Sequence, residues 1–407
     1  MSGMRMESWE RWVQERLLYR NTVSEGFFPR EAERLALACR EMADRFLAGG
    51  RLLAAGRGVY VTDAQHVAVE FVHPVIVGKR ALPAVDLSPL LPEGFGALLQ
   101  PEDMVIGFGP PEGDPEVAGV LKRARQRGAF CFALPGTATD GDGAGVYGVP
   151  PPDNNPFVHQ EMLEILYHTL WETVHVFFEH RSGAEGSGAG GAGSLYPFLS
   201  VQGEAREQAN AAVVEAVAAS IVSKAQDTAR LRAEVAETEA GTIARMIQTL
   251  AGCLERGGKL LLMGNGGSAT DANDWALDMV LPPANWRPLP AVSLAMDPAI
   301  LSALANDVGA EVLFLRQVIA HARPGDAVVA ITTSGNSRNI VLALEEARKR
   351  ELSTVALLGY DGGEVVRRGL ADIAIVVRSD YVPRIQEVHA SIYHIVREGL
   401  AVVTGDA

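Results

Sequence analysis

One long segment of this chain occurs twice, and that repetition constrains the fold more than any other feature. Near residue 50 the sequence reads AGGRLLAAGRGVYVTDAQHVAVEFV, and near residue 257 it reads RGGKLLLMGNGGSATDANDWALDMV. The two align without gaps, setting Gly56 against Gly264, Asp63 against Asp271, His66 against Asp274 and Glu70 against Asp278. Each copy runs on to a similar short segment, LPAVDLS from Leu82 and LPAVSLA from Leu289. PEDMVIGFG then matches PGDAVVAIT, and HQEMLEILYH (His159–His168) matches IQEVHASIYH (Ile385–His394). Repetition on this scale means two copies of one domain rather than a solenoid of short units. Between them RSGAEGSGAGGAGS (Arg181–Ser194), built of Gly, Ala and Ser, reads as a flexible linker. The expected organisation is a domain at residues 1–180, a linker at 181–195 and a second domain at 196–407.

Inside each copy, short apolar or β-branched runs bounded by Gly and Asp alternate with amphipathic stretches. In the second copy the expected strands are KLLLMG, AVSLA, AVVAITT, TVALLG and IAIVV, with helical patterns such as SRNIVLALEEARKR between them. Five strands with intervening helices predict an α/β fold, a doubly wound parallel sheet with ligands at the carboxyl ends of its strands. A pair of helices is expected before each sheet, for example over VEAVAASIVSKAQDTARLRAEV.

Of the 407 residues 48% are hydrophobic, enough for two sizeable cores. A net charge of −14 argues against a nucleic-acid or membrane-surface binder, which needs a basic face. A local phosphate site stays open, because backbone N–H groups at a helix start bind anions without net positive charge. Cys39, Cys131 and Cys253 form no CxxC pair and read as small buried residues of a reducing, cytoplasmic protein. The polar start MSGMRMESWERW has no apolar signal core, and no run of 18 apolar residues predicts a membrane span.

Two loops of the second half carry candidate chemistry. GNGGSATDA (Gly264–Ala272) and TTSGNSRNI (Thr332–Ile340) each follow a strand and open a helix. Small residues let backbone approach a ligand closely, and hydroxyls with free N–H groups at a helix start can hold a phosphate. Either loop alone could equally contain only capping residues. Two such loops on one sheet favour phosphate.

GNGGSATDA followed by TTSGNS and then RIQEVHASIYH resembles the sugar isomerase (SIS) domains of phosphoheptose isomerases. Those carry GNGGS-x-x-DA-x-H-x-x-x-E, S-T-S-G-N-S and R-I-Q-E-x-H-x-x-x-x-H. The resemblance implies that Asn265, Gly266, Gly267, Ser268, Thr332, Thr333, Ser334, Asn336 and Ser337 hold a sugar phosphate, with Asn306 and Asp307 of ANDVG near it. The second half departs from the pattern where Asp274 and Asp278 replace the family's His and Glu.

The first half keeps what the second has lost. TDAQHVAVE sets His66 and Glu70 at i and i+4, on one helix face about 6 Å apart. Gln160 and His168 match the family's Gln and last His. By resemblance His66, Glu70, Gln160 and His168 bind a divalent metal, zinc being the expected ion, with Glu70 as base and His168 as acid. The bland alternative for His66 and Glu70 is an exposed i,i+4 pair. Gln160 and His168 are about 12 Å apart along a straight helix, so one ion reaches both only if side chains bridge the gap, the helix bends, or different chains contribute. His73, His159, His175 and His180 fit no pattern and read as surface or boundary residues. The first half's own loops, GRGVYVTDA and GPPEGDPEV, carry bulky residues, prolines without N–H donors, and Glu112 and Asp114, which repel phosphate.

The losses are complementary. The resemblance therefore implies an aldose–ketose isomerase acting on sedoheptulose 7-phosphate through an enediolate, with a composite site drawing on both halves. The family's tetrameric habit implies a homo-oligomer, a dimer of fused chains forming a pseudo-tetramer. Rival readings are a non-catalytic assembly or regulatory SIS protein, of the kind that binds a replication initiator, and a phosphosugar sensor. Whether Asp274, Asp278, Gln386 and His394 form a second metal site is left open.

Overall fold

The computed structural model describes residues 5–74, 79–136, 145–182 and 205–406. The segment read as a linker lies almost wholly outside them. The described residues form two sheets, each of five parallel strands. The first contains β1 (Leu52–Ala55), β2 (Ala84–Asp86), β3 (Met104–Phe108), β4 (Phe130–Leu134) and β5 (Val146–Gly148), in the order β2-β1-β3-β4-β5. The second contains β6 (Leu260–Met263), β7 (Ala291–Ser293), β8 (Ala327–Thr332), β9 (Ser353–Gly359) and β10 (Ile373–Val377), in the order β10-β9-β8-β6-β7. Read in chain order within each copy, both are 2-1-3-4-5, a doubly wound sheet. The register repeats as well. Leu52 faces Ala84 and Met104 in one sheet, and Leu260 faces Ala291 and Ala327 in the other. A shared latch sets it: Asp103 Oδ1 accepts from Arg51 N (3.0 Å), and Asp326 Oδ1 accepts from Lys259 N (2.9 Å).

The helices are α1 (Met6–Leu47), α2 (Val61–Val72), α3 (Pro115–Gln126), α4 (Pro156–Ser182), α5 (Ala205–Thr238), α6 (Ala240–Glu255), α7 (Gly267–Val280), α8 (Pro298–Asp307), α9 (Leu313–His321), α10 (Arg338–Lys349), α11 (Gly363–Arg367) and α12 (Val382–Thr404). The expected helical pair precedes only the second sheet, where Glu239 leaves helical geometry between α5 and α6 (φ −120°, ψ −3°). Before the first sheet a single helix of 42 residues continues through Pro29. Phe27, Phe28, Ala32 and Leu35 are buried on either side of that proline, so packing outweighs its local cost.

The chain divides into two compact units. One comprises Met1–Thr22, Gly58–Thr62 and Thr228–Ala407; the other comprises Val23–Arg57 and Asp63–Asp227. In the first of these, alternate residues of β6 serve two cores. Leu260 and Leu262 pack with Ile243, Ile247, Trp275 and Ile392 from α6, α7 and α12. Leu261 and Met263 pack with Ile340, Val341 and Leu344 of α10 on the opposite face. Full burial of such a side chain contributes about 1.5–3 kcal/mol, so the starts of α7 and α10 are pinned to the sheet. In the other unit Leu53, Val105 and Cys131 pack against Val117, Val120 and Leu121 of α3. All three cysteines are buried and free. Among the described residues no helix is long and apolar enough to cross a membrane.

Candidate phosphate loops and candidate metal centre

The order 2-1-3-4-5 reverses between its first and third strands, and the crevice at that point is where open α/β sheets bind ligands. In the second sheet those strands are β6 and β8, paired from Leu260↔Ala327 to Met263↔Ala330. Both candidate loops leave there. β6 ends at Met263 and α7 starts at Gly267, through Gly266 with φ +57°. β8 ends at Thr332 and α10 starts at Arg338, with Ser337 at its N-cap. An amide pair ties the loops together: Asn265 Nδ2 donates to Asn339 Oδ1 (3.0 Å) and Asn339 Nδ2 donates to Asn265 Oδ1 (2.9 Å). Asn339 was not among the expected residues, although it stands two positions after Ser337 in the same loop-to-helix segment.

The capping alternative can be tested residue by residue. Ser337 makes no side-chain cap hydrogen bond, so capping does not account for its hydroxyl. Asn336 serves the loop itself: its Nδ2 donates to Ser334 O (2.9 Å) and its Oδ1 accepts from Glu364 N (2.9 Å). Gly335 has φ +61°, and a Cβ there would run into the Gly362 carbonyl oxygen, so this turn requires glycine. Ser268 and Thr332 are buried, and Thr333, Ser334 and Ser337 are half-buried. Asn306 and Asp307 sit at the exposed end of α8, where Asn306 Nδ2 donates to Asp307 Oδ1 (2.7 Å).

In the first sheet the corresponding helix start already carries an anion of the chain itself. Asp114 caps α3, its Oδ1 accepting from Glu116 N (2.8 Å) and Val117 N (3.0 Å). Its carboxylate thus takes the anion position at that helix start. Arg57, from the other loop, pairs with Asp114 (3.3 Å) and Glu116 (3.1 Å).

Beside this sheet α2 faces α4. His66 and Glu70 are both 2% exposed, so they are not the exposed pair of the bland alternative. His66 Nε2 lies 3.3 Å from His168 Nε2 and 3.8 Å from Glu70 Oε1. Burial, and after it the neighbouring His168, hold the His66 pKa well below the ordinary imidazole value, so His66 is neutral. Two turns back along α4, Gln160 Nε2 donates to Asp63 Oδ2 (2.9 Å). Gln160 and His168 therefore meet different residues of α2. Between them on α4 is Glu164, an expected site residue of neither pattern nor resemblance. His66, Glu164 and His168, all buried, bring ligand atoms within 4.8 Å of one another. Two imidazoles and a carboxylate suit a divalent ion such as zinc, so these residues fit the implied metal. His159 and His175, expected near the surface, are buried instead. His159 Nε2 bonds Gly109 O (3.0 Å), and the His175 nitrogens bond Trp171 O (2.9 Å) and Arg80 O (3.0 Å). These backbone carbonyls anchor the two rings inside the protein. His73 is exposed.

The equivalent cluster of the second half is Asp274, Asp278 and His394. His394 Nε2 lies 3.3 Å from Asp274 Oδ2 and 3.2 Å from Asp278 Oδ2. Asp274 also accepts from Thr62 Oγ1 (2.7 Å) and Tyr393 Oη (2.8 Å), partners with no signature in the motifs. Burial, and then Asp274, push the Asp278 carboxyl up from 3.8 to about 6. A carboxyl with a raised folded pKa binds a proton in the folded state that the unfolded state lacks, so its contribution to stability falls as pH rises through that window. In the presence of a chelator, Asp278→Asn is therefore expected to unfold at higher temperature than the parent above pH 6. The gain should be largest above pH 6 and should close toward pH 4. Thermal melts of both proteins across that range check it; a constant difference would refute the assignment.

Residues 225–359 match the SIS domain family, the class of protein that the sheet order and paired loops define. Over 176 residues the chain is 49% identical to the phosphoheptose isomerase of Geobacter sulfurreducens, covering 42% of this chain and 92% of that one. Identity to the phosphoheptose isomerase of Chlorobium phaeobacteroides is 43% over 173 residues, covering 42% and 76%. The chain belongs to the phosphoheptose isomerase family of SIS-domain proteins, as a tandem of two diverged copies. Solved structures extend the fold across the whole repeat. Tagatose-6-phosphate ketose/aldose isomerase from Escherichia coli matches with TM-score 0.55 at 13% identity, covering 97% of this chain and 94% of that one. The C-terminal domain of glucosamine-fructose-6-phosphate aminotransferase from Francisella tularensis matches with TM-score 0.54 at 10% identity, covering 95% and 97%.

Proposed function

We propose that this protein interconverts the ketose and aldose forms of a phosphosugar, with sedoheptulose 7-phosphate and its heptose 7-phosphate isomer as the substrate pair. The observation that carries the reading is the reciprocal specialisation of the two copies. One keeps the loops at its switch point and has lost His and Glu. The other keeps His66, Glu70 and His168 in a buried cluster and has a carboxylate in its anion position. In this reading both parts act on one sugar, in a homo-oligomer that is a pseudo-tetramer of SIS domains.

Thr333, Ser334, Ser337 and the start of α10 hold the phosphate and so orient the far end of the sugar. Glu70 takes the proton from the carbon beside the carbonyl, leaving an enediolate. His168 gives a proton to the carbonyl oxygen and takes one from the hydroxyl of the neighbouring carbon, which becomes the new carbonyl, while the proton on Glu70 returns to the former carbonyl carbon. Overall one hydrogen moves between the two carbons and one between their oxygens. A divalent ion such as zinc, held in the His66 cluster, supplies positive charge that stabilises the oxygens when bound.

One observation favours a second reading, a sensor that binds without turnover. Asp274 in the second half is tied up by Thr62 and Tyr393 rather than presented as an acid or base. Incubating the protein with sedoheptulose 7-phosphate and following both isomers by NMR decides. The proposal expects conversion that a chelator slows and zinc restores. Thermal stabilisation by the sugar phosphate with no product would establish the sensor instead.

A further inference from the structure

We infer that Glu164 is a metal ligand of the first half, with His66 and His168, in the place that the resemblance gives to Gln160. The inference rests on the reading that this half holds a divalent ion, and it changes which residues do so.

Three observations converge. First, the two Nε2 atoms are 3.3 Å apart, the spacing of two nitrogens that share a tetrahedral zinc at about 2.0–2.1 Å each. Second, the carboxylate whose ligand atom falls within 4.8 Å of both is Glu164, one helical turn before His168 on the same face of α4. Gln160 is a further turn away and gives its amide to Asp63. Third, the repeat singles Glu164 out. Aligning HQEMLEILYH with IQEVHASIYH sets it against Ala390, although the flanking Gln160 and His168 match Gln386 and His394. A carboxylate has therefore been placed between the imidazoles in the copy that has two of them.

Two His and one Glu with an open fourth position is a donor set of catalytic zinc sites.

The test is zinc affinity, measured by competition with a chromophoric chelator, for the parent, Glu164→Gln and Gln160→Ala. Melts of the chelated proteins serve as the folding control. The expected result is an affinity loss of at least about 10–100-fold for Glu164→Gln, with Gln160→Ala close to the parent. Parental affinity in Glu164→Gln, or the loss appearing in Gln160→Ala instead, would overturn it. If Glu164→Gln does not fold, Glu164→His decides. That change restores a donor and retains zinc if Glu164 is a ligand, and loses zinc if it only supports packing. The outcomes are separable from the function. Glu164-dependent zinc binding without turnover removes the isomerase reading and leaves this inference; turnover with Glu164-independent zinc does the reverse.

Discussion

Replacing Glu70 with Gln is expected to lower kcat by about 10²–10⁴-fold, the contribution of a positioned general base, while KM stays near the parent value. Gln has the shape of Glu and keeps an oxygen and a nitrogen for hydrogen bonding, so the buried position beside His66 (3.8 Å) is not emptied. What disappears is the capacity to accept a proton from carbon. Because the candidate phosphate loops lie on a different sheet and are untouched, ground-state binding should persist. Initial rates over a range of sedoheptulose 7-phosphate concentrations separate the two parameters. A Glu70→Gln enzyme within tenfold of the parent kcat would remove Glu70 from the proton path.

The combined change Thr333→Ala, Ser334→Ala and Ser337→Ala is expected to act in the opposite place. Each hydroxyl in a hydrogen bond to a charged phosphate is worth about 1.5–3 kcal/mol, roughly a factor of ten or more each. Together they should lower kcat/KM by at least about 10³-fold and abolish the thermal stabilisation that inorganic phosphate is expected to give the parent. Stability without ligand supplies the control. Ser337 makes no cap hydrogen bond, so Ser337→Ala alone should leave the melting temperature unchanged, whereas loss of a working N-cap would cost about 1 kcal/mol. A fall in stability with parental kcat/KM would return these residues to structural duty.

Much of the fold could be read from the chain because its repeat is long and its strands are short apolar runs with Gly at their ends. β6 and β8 fall where KLLLMG and AVVAITT stand, and the two sheets share register because Leu52 and Leu260 occupy the same place in the repeat. The uninterrupted α1 was harder to see, since Pro29 ordinarily signals a break and burial along the helix overrides it. In the site, helical spacing brought His66 and Glu70 together correctly but could not say whether that face is buried. Glu164 escaped notice although Gln160, Glu164 and His168 follow one another every fourth residue on α4. Attention to that spacing within the helix, and not only to the ends of the motif, would have found it. The hydroxyls of Thr62 and Tyr393 on Asp274 had no such signal. Thr62 is more than two hundred positions away in sequence, and only the folded chain brings them together. Arg57 was likewise unreadable as a partner of Asp114, because the sequence shows two loops and not the crevice they share.

The central claim is that phosphate holding and proton transfer have been divided between two sister domains that serve a single sugar. A crystal structure with bound sedoheptulose 7-phosphate tests it most directly. The account predicts the phosphate against Thr333, Ser334 and Ser337, and the C1–C2 end of the same molecule within hydrogen-bond reach of a Glu70 carboxylate, from the same chain or a neighbouring copy. A sugar whose phosphate lies on those hydroxyls and whose reactive end faces Asp278 and His394 would contradict it.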